Sequence, residues 1–217
     1  KMNILEFNTI TQTKSTQESV SPKIALDILK AGNERFVNSQ KANRNLNTQV
    51  KDTSKGQFPF ATVLSCIDSR VSSELIFDQG IGDIFSVRIA GNFVNEDILG
   101  SMEFACKLAG TPLIVVLGHT SCGAVKGACD HAKLGNLTAM LEKISPAVET
   151  VTSPSEVDQR TSANISFVNE VAEKNVNLNI QRILNESAVL AEMVNNGEIE
   201  IIGGMYDINS GKVEFLS

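Results

Sequence analysis

The sequence alternates short apolar runs with longer segments in which apolar residues recur at helical spacing. Four runs are typical of strands: FATVLS at 60–65, IFSVRI at 84–89, LIVVL at 113–117 and EIEII at 198–202. The intervening segments, such as 95–109, carry apolar residues three or four positions apart, which indicates amphipathic helices. Strands that alternate with helices favour a parallel sheet, because a parallel crossover is long enough to hold a helix. The predicted fold is α/β, with a mostly parallel central β-sheet and flanking helices.

Both ends of the chain depart from this alternation. Residues 8–21 are polar and rich in Ser, Thr and Gln, and we predict a flexible N-terminal tail over residues 1–21. Residues 22–57 are predicted to form a helical arm and residues 58–217 an α/β core, and arm and core together make one domain. Apolar spacing predicts one long helix over 164–196. The segment 206–215 resembles a hairpin, which predicts a C-terminal antiparallel edge strand.

The composition argues against several classes of protein. The net charge of −6 argues against nonspecific nucleic-acid binding. The longest apolar run, 113–117, is far shorter than the ~20 residues that span a bilayer. Four cysteines are too few for a disulfide scaffold. No signal peptide is visible, so the cytoplasm is the expected location; an exported, periplasmic mature form stays open as an alternative because the sequence starts at Lys1.

Two groups of chemically reactive residues directly follow the first and the third predicted strands. The first is C-I-D-S-R at 66–70, and the second is G-H-T-S-C-G at 118–123. Both lie at the carboxyl ends of strands, which is the edge of an open α/β sheet where sites assemble. If the two strands are neighbours, the side chains of Cys66, His119 and Cys122 converge.

Two thiolates and one imidazole make a good set of zinc ligands. Three protein ligands with one open position are typical of a catalytic zinc ion rather than a structural one. Ligands from separate strands also suit a rigid catalytic platform better than a zinc finger. Spacing alone leaves other interpretations open: buried cysteines and a hydrogen-bonded histidine without metal, a Cys–His acyl transferase, or a redox site, although no C-x-x-C is present.

The paired motifs C-x-D-S-R and G-H-x-x-C-G-A, in this order and each at a strand end, resemble those of the β-class carbonic anhydrases. The similarity continues through residues 78–100 and the tail GGMYDINSGKV, and it covers about residues 22–217. The resemblance implies reversible hydration of carbon dioxide to bicarbonate and a proton, by attack of zinc-bound hydroxide in an apolar pocket. It implies one Zn²⁺ per subunit, with Cys66, His119 and Cys122 as the ligands.

The resemblance also implies roles for residues around the metal. Asp68 and Arg70 match the catalytic pair that the family uses beside zinc. Gln57 matches the glutamine that binds substrate in the plant-like branch, which has a type I active site. Phe85, Ala90 and Phe104 fall where that branch has apolar and aromatic residues that line the carbon dioxide pocket, and the backbone N–H of Gly123 is a further candidate for substrate binding.

The Asp–Arg pair has a physical rationale. Two thiolates already neutralise Zn²⁺, so a bound hydroxide and the Asp68 carboxylate leave the centre with a net negative charge. We expect Arg70 to offset this charge and to hold Asp68 in a bidentate pair. Without Arg70, the Asp68 carboxylate is free to take the fourth zinc position and displace the water.

One departure separates this sequence from the other common branch of the family. That branch has an inhibitory bicarbonate pocket with a Trp three residues before the first ligand cysteine. Val63 occupies this position here, and the chain has no Trp, although Arg88 and Tyr206 occupy the other two expected positions. We therefore expect an open site at neutral pH.

The resemblance further implies an assembly. N-terminal arms in this family embrace a partner, and the active site lies at the dimer interface. We predict a homodimer, or a tetramer built as a dimer of dimers, in which Gln57 serves the neighbouring subunit's zinc. Small-molecule substrates are expected, with no nucleic-acid or membrane partner. Three alternative functions stay open: a carbon disulfide or carbonyl sulfide hydrolase with the same zinc site, a non-enzymatic zinc-stabilised binding module, and a Cys-dependent acyl transferase.

Overall fold

The computed structural model describes Phe7 and residues 9–216, and these residues build a five-stranded sheet. The strands are β1 (Ala61–Ser65), β2 (Ile84–Arg88), β3 (Leu113–His119), β4 (Glu200–Tyr206) and β5 (Val213–Phe215). Their order is β2-β1-β3-β4-β5, in which the first four are parallel and β5 is antiparallel to β4. The predicted sheet, with its antiparallel C-terminal edge strand, is confirmed.

Helices connect the strands and cover the sheet. They are α1 (Lys14–Glu18), α2 (Pro22–Val37), α3 (Leu46–Asp52), α4 (Ser73–Ile76), α5 (Glu96–Glu103), α6 (Gly123–Cys129), α7 (Gly135–Leu141), α8 (Ser145–Thr150), α9 (Ile165–Glu186) and α10 (Ala188–Asn195). A π-helical turn, Phe104–Leu108, continues α5, and 3₁₀ turns lie at Thr53–Lys55 and Val157–Gln159. Within the described residues, none of these helices combines the length and the apolar composition that a membrane span requires.

Strand β3 is buried along its whole length because both of its faces are covered. Leu113, Val115 and Leu117 belong to the hydrophobic cluster that includes residues of helix α2. Ile114 and Val116 point to the opposite face and belong to the cluster that includes residues of α5, α9 and α10. Side chains alternate between the faces of a strand, so a strand covered on both faces needs a continuous apolar run.

The prediction of one helix over 164–196 is wrong, because the chain leaves helical geometry at Ser187. This residue has φ −119° and ψ 99°, which separates α9 from α10. Its hydroxyl accepts a hydrogen bond from the N–H of Leu190 at 3.2 Å and donates one to Glu103 Oε1 at 2.6 Å. Ser187 therefore caps α10, and its bond to Glu103 at the end of α5 is a tertiary contact that helical periodicity does not reveal.

The segment predicted as a flexible tail, residues 1–21, contains the short helix α1; residues 1–6 and 8 lie outside the described part of the chain. Thr13 and Thr16 form a capping box at its start. The side chain of Gln17 donates to the carbonyl oxygens of Pro59 at 2.7 Å and Ala109 at 2.8 Å. The polar residues that suggested disorder thus tie this segment to the loops before β1 and β3.

Asp83, one residue before β2, is a fully buried carboxyl at the amino end of the sheet. Its Oδ2 accepts a hydrogen bond from the N–H of Gly80 at 2.6 Å. The pKa of Asp83 is raised to about 6, chiefly by burial; the Gly80 N–H, Arg44 and Gln12 act to lower it, and the nearby Asp78 acts to raise it. The folded protein therefore keeps this proton to a higher pH than the unfolded chain does.

We expect Asp83→Asn to stabilise the protein at neutral pH. Between the unfolded pKa near 4 and the folded pKa of about 6, the folded state binds the extra proton, so wild-type stability falls as the pH rises. Asparagine is neutral at every pH. The free energy of unfolding of the variant, relative to that of wild type, should therefore increase by about 2 kcal/mol from pH 4.5 to pH 7.5.

Urea unfolding of both proteins at the two pH values measures this change, with Glu149→Gln as a control for loss of an exposed carboxylate. An advantage that is the same at both pH values would contradict the raised pKa of Asp83.

Candidate metal centre

Cys66, His119 and Cys122 meet at the carboxyl edge of the sheet. Cys66 directly follows β1, His119 is the last residue of β3, and Cys122 immediately precedes α6. Strands β1 and β3 are parallel neighbours, which is why the two motifs face each other. Their potential ligand atoms all lie within 4.8 Å of one another, and the three residues are at most 4% exposed. The convergence predicted from the sequence is observed.

The imidazole of His119 is oriented as a metal ligand. Its Nδ1 lies 2.9 Å from the carbonyl oxygen of Thr120, and a carbonyl only accepts, so Nδ1 carries the proton and donates. The other nitrogen, Nε2, is buried and has no hydrogen-bond partner among the described residues. An unpaired buried nitrogen is costly unless it binds something, and histidines that ligate metals commonly donate their second nitrogen to a carbonyl in this way.

The two thiols also favour a cation between them. The Sγ atoms of Cys66 and Cys122 lie 4.0 Å apart, and hydrogen bonding from Cys122 lowers the pKa of Cys66 to about 4. The same contact, together with burial, raises the pKa of Cys122. Two thiolates at this distance repel each other, so both are deprotonated together only beside a positive ion. Two sulfur atoms and one imidazole nitrogen form a donor set that zinc prefers, and the residues fit this metal.

Gly91 supports the first thiol with its backbone. Its N–H donates to Cys66 Sγ at 3.3 Å, from a left-handed conformation with φ +79°. A Cβ atom at this position would lie 2.4 Å from Cδ1 of Ile144. The carbonyl of Gly91 accepts a hydrogen bond from Asn175 of α9 at 2.7 Å. Only glycine allows both the conformation and the close packing that bring this N–H to the sulfur.

Asp68 and Arg70 form the predicted bidentate pair beside the three residues. Arg70 Nε donates to Asp68 Oδ1 at 2.9 Å, and Nη2 donates to Oδ2 at 2.7 Å. The Arg70 hydrogen bonds hold the pKa of Asp68 well below its usual range. Asp68 Oδ2 lies 3.9 Å from Nε2 of His119, so the ionised carboxylate faces the three candidate metal ligands. The Arg70 side chain binds both oxygens of the same carboxylate.

Two further residues shape the site, and the sequence reasoning did not assign them this role. Arg88, at the end of β2, donates to the carbonyl oxygens of Cys66 at 3.0 Å and Asp68 at 2.7 Å. Asn169 of α9 accepts the N–H of Ser121 at 2.8 Å, and Ser121 has φ +54°. The signal for Arg88 was its register: it pairs with Ser65, which directly precedes the first ligand cysteine.

A cavity of about 280 Å³ opens beside Cys66 and Asp68. Ala90 and Gly123, two of the predicted substrate-binding residues, line it. The remaining lining is largely apolar and comes from Ile67, from Ala124 and Gly127 of α6, and from Leu137, Met140 and Leu141 of α7. Such a cavity suits a small ligand with little polarity.

The other predicted substrate-binding residues do not line this cavity within one chain. Phe85 and Phe104 pack edge to face, with ring centroids 6.2 Å apart, beside a separate groove of about 700 Å³ along β2. Phe104 is 51% exposed. Gln57 is also exposed, in the loop that leads to β1.

The two remaining cysteines are buried in the core. Cys106 packs in the cluster under α9 and α10, and burial raises its pKa to about 12. Burial likewise raises the pKa of Cys129, at the end of α6, to about 11. Thiols that resist ionisation in this way are unreactive, in contrast to the pair at the sheet edge.

Comparisons with known proteins agree with one another. A family model described as carbonic anhydrase matches residues 61–213. Carbonic anhydrase 2 of Mycobacterium tuberculosis is 36% identical over 200 residues, which cover 89% of this chain and 92% of that protein. A β-carbonic anhydrase of Aspergillus fumigatus superposes with a TM-score of 0.70 at 25% identity, covering 79% of this chain and 81% of the other. A tetrameric β-carbonic anhydrase of Sordaria macrospora gives 0.66 at 21% identity, covering 94% and 98%.

Proposed function

The chain belongs to the β-carbonic anhydrase family, and from this premise we propose how its residues carry out the reversible hydration of carbon dioxide to bicarbonate and a proton. The observation that carries the proposal is the buried group of two sulfur atoms and one imidazole nitrogen within 4.8 Å of one another. Cys66, His119 and Cys122 are the residues that would hold the zinc ion. When bound, zinc lowers the pKa of water and so makes hydroxide available near neutral pH.

Asp68 orients the nucleophile. Its carboxylate is ionised and faces the site, so it accepts a hydrogen bond from the attacking oxygen and directs that oxygen's lone pair toward the substrate carbon. Arg70 is a positioning residue that acts through Asp68. Its two parallel hydrogen bonds keep the carboxylate from turning inward and bonding to the metal itself.

The apolar cavity beside Cys66 receives the substrate. Carbon dioxide has no charge and no dipole, so an apolar lining holds it without a desolvation cost. Ala90 forms part of this lining, and the backbone N–H of Gly123, at the start of α6, is a donor for a substrate oxygen. Bicarbonate is charged and is poorly matched to the same lining, which favours its release.

Zinc analysis combined with a stopped-flow assay of carbon dioxide hydration tests this function. We expect one zinc ion per chain and catalysed hydration that disappears when a chelator removes the metal. Zinc without hydration activity would contradict the proposal and would favour the carbon disulfide or carbonyl sulfide hydrolase instead. Unfolding on metal removal would favour a zinc-stabilised binding module.

Two copies of the chain complete each site. Gln57, Phe85 and Phe104 match substrate-binding positions, yet they do not line the cavity of their own chain. Strand β2 is an edge strand, and the side chain of Phe104, which is 51% exposed, packs against Phe85 of this strand. An exposed edge strand with apolar side chains beside it favours association with another protein surface. A homodimer across β2 would bring these residues to the neighbouring site, and a tetramer would pair two such dimers.

We expect Phe104→Glu to break the dimer and to lower hydration activity by at least about 10-fold, because it buries a charge in the apolar contact. Light scattering after size-exclusion chromatography measures the mass, and stopped-flow measures the activity. Val157→Glu is the matched control, since Val157 is 83% exposed and lies in a 3₁₀ turn outside the β2 edge. A dimeric, fully active Phe104→Glu variant would argue against this interface.

The four thiols favour a reducing compartment. All four cysteines are free, and the sulfur atoms of Cys66 and Cys122 are close enough for small movements to join them under oxidising conditions. A disulfide between them would remove two metal ligands. We therefore propose the cytoplasm as the location, which fractionation of the source cells tests.

A further inference from the structure

One wall of the cavity beside Cys66 comes from helix α7, a segment with no part in the metal centre or the Asp–Arg pair. Leu137, Met140 and Leu141 line the cavity from this helix. Their spacing of three and four residues places them on one helical face. Leu137 and Met140 are only half-buried, whereas Leu141 is 4% exposed.

Leu141 is buried in the hydrophobic cluster that includes Cys66 and Cys122, whereas Leu137 and Met140 pack against this cluster as partly buried residues. A Cβ atom on Gly127 of α6 would lie 3.2 Å from Cδ1 of Leu141, so the two helices pack closely at this point. In contrast, a Cβ atom on Gly123 would meet nothing within 4 Å. The cavity therefore lies in front of Gly123, where α6 begins beside Cys122. Leu137 and Met140 form part of its boundary, at the partly exposed edge of the core cluster.

We propose that Leu137 and Met140 are specificity-determining residues, which limit the size of the substrate that reaches the metal centre and keep the cavity apolar. The inference rests on the proposed function, because the cavity is a substrate pocket only if the reaction occurs at Cys66, His119 and Cys122. At about 280 Å³ the cavity lies just below the roughly 300–1,000 Å³ of pockets that hold drug-sized ligands. Shortening two side chains in its wall moves it into that range.

An ester larger than carbon dioxide probes this limit. In the hydrolysis of 4-nitrophenyl acetate, the oxygen of hydroxide bonds to the acyl carbon, the acyl C–O bond breaks, and 4-nitrophenolate leaves with the electron pair. The nucleophile is the same as in hydration. The ratio of the two kcat/KM values, ester over carbon dioxide, therefore reports the space around the reacting carbon rather than the strength of the nucleophile.

We expect Leu137→Ala/Met140→Ala to raise this ratio by at least about 10-fold, because the variant admits the aromatic leaving group and loses apolar contacts to carbon dioxide. Leu134→Ala is the matched control: Leu134 is 71% exposed, directly precedes α7 and does not line the cavity, so its ratio should equal that of wild type. Adding Cys66→Ser to the double variant should abolish the gained ester activity and so locate it at the metal centre.

Zinc content and the melting temperature establish that the double variant is folded. If it does not fold, Met140→Ala alone removes a half-buried side chain and should still raise the ratio by about threefold. A ratio within twofold of wild type in a folded, zinc-loaded variant would overturn the inference. A wild-type protein without hydration activity would instead overturn the proposed function, and the two failures are thus distinguishable.

Discussion

Cys66→Ser is expected to lose its zinc and, with it, carbon dioxide hydration by more than about 100-fold. A serine hydroxyl does not ionise near neutral pH and is a poor ligand for this metal, whereas the pKa of Cys66 is lowered to about 4 by hydrogen bonding from Cys122. The substitution also weakens the bond that Cys66 Sγ accepts from the Gly91 N–H at 3.3 Å. Metal analysis and stopped-flow assays on the same preparation measure both losses.

Cys106→Ser is the matched control, because Cys106 is equally buried but lies in the core cluster away from the metal centre. It introduces the same change of sulfur to oxygen. We expect this control to keep zinc and activity and to lose only about 1–3 kcal/mol of stability from the buried hydroxyl. A Cys66→Ser variant with one zinc ion per chain and wild-type turnover would remove Cys66 from the ligand set.

Arg70→Ala is expected to keep its zinc but to lose turnover by about 100-fold or more. The three metal ligands are unchanged, so affinity for the ion is retained. The Asp68 carboxylate, however, loses both hydrogen bonds from the Arg70 side chain and keeps only the one from the backbone N–H of residue 70. Its Oδ2 already lies 3.9 Å from His119 Nε2, so a small rotation lets it take the position that water needs.

Two variants separate this role from a general structural one. Arg70→Lys keeps the charge but not the two-pronged geometry, and it should restore only part of the lost kcat. Arg182→Ala removes a similar bidentate pair, in which Nε and Nη2 of Arg182 lie 2.6 and 3.1 Å from the carboxylate of Glu186 on α9. It should leave kcat unchanged. Full turnover in zinc-loaded Arg70→Ala would refute the positioning of Asp68 by Arg70.

Local patterns in the sequence predicted the sheet and the reactive residues well. The run at 113–117 is apolar at every position, as a strand buried on both faces must be, and it forms the centre of β3. The motifs around Cys66 and His119 identified both strand ends. Parallel neighbouring strands have their carboxyl ends at the same edge of a sheet. Because β1 and β3 are such neighbours, the residues of the two motifs meet there.

The errors and omissions have a common origin in long-range contacts. The predicted helix over 164–196 breaks because the Ser187 hydroxyl bonds to Glu103, which is 84 positions away in the chain. Gln17 is held in place by carbonyl oxygens of Pro59 and Ala109, and its polar neighbourhood alone indicated a tail. Periodicity reports which face of an element is apolar, but it carries no information about the partner of a single polar side chain.

The sequence by itself determined the type of sheet, the edge at which chemistry occurs and the residue types that gather there, because these depend on spacing within a strand and on the turn that follows it. The tertiary structure decided which other residues hold the site residues in place and which residues line the cavity. The bonds from Arg88 to the carbonyl oxygens of Cys66 and Asp68, the N–H of Gly91 at the sulfur, and the wall that α7 adds all depend on how separate elements pack. Packing is set by many weak contacts between distant segments, so these features become visible only when the elements are assembled.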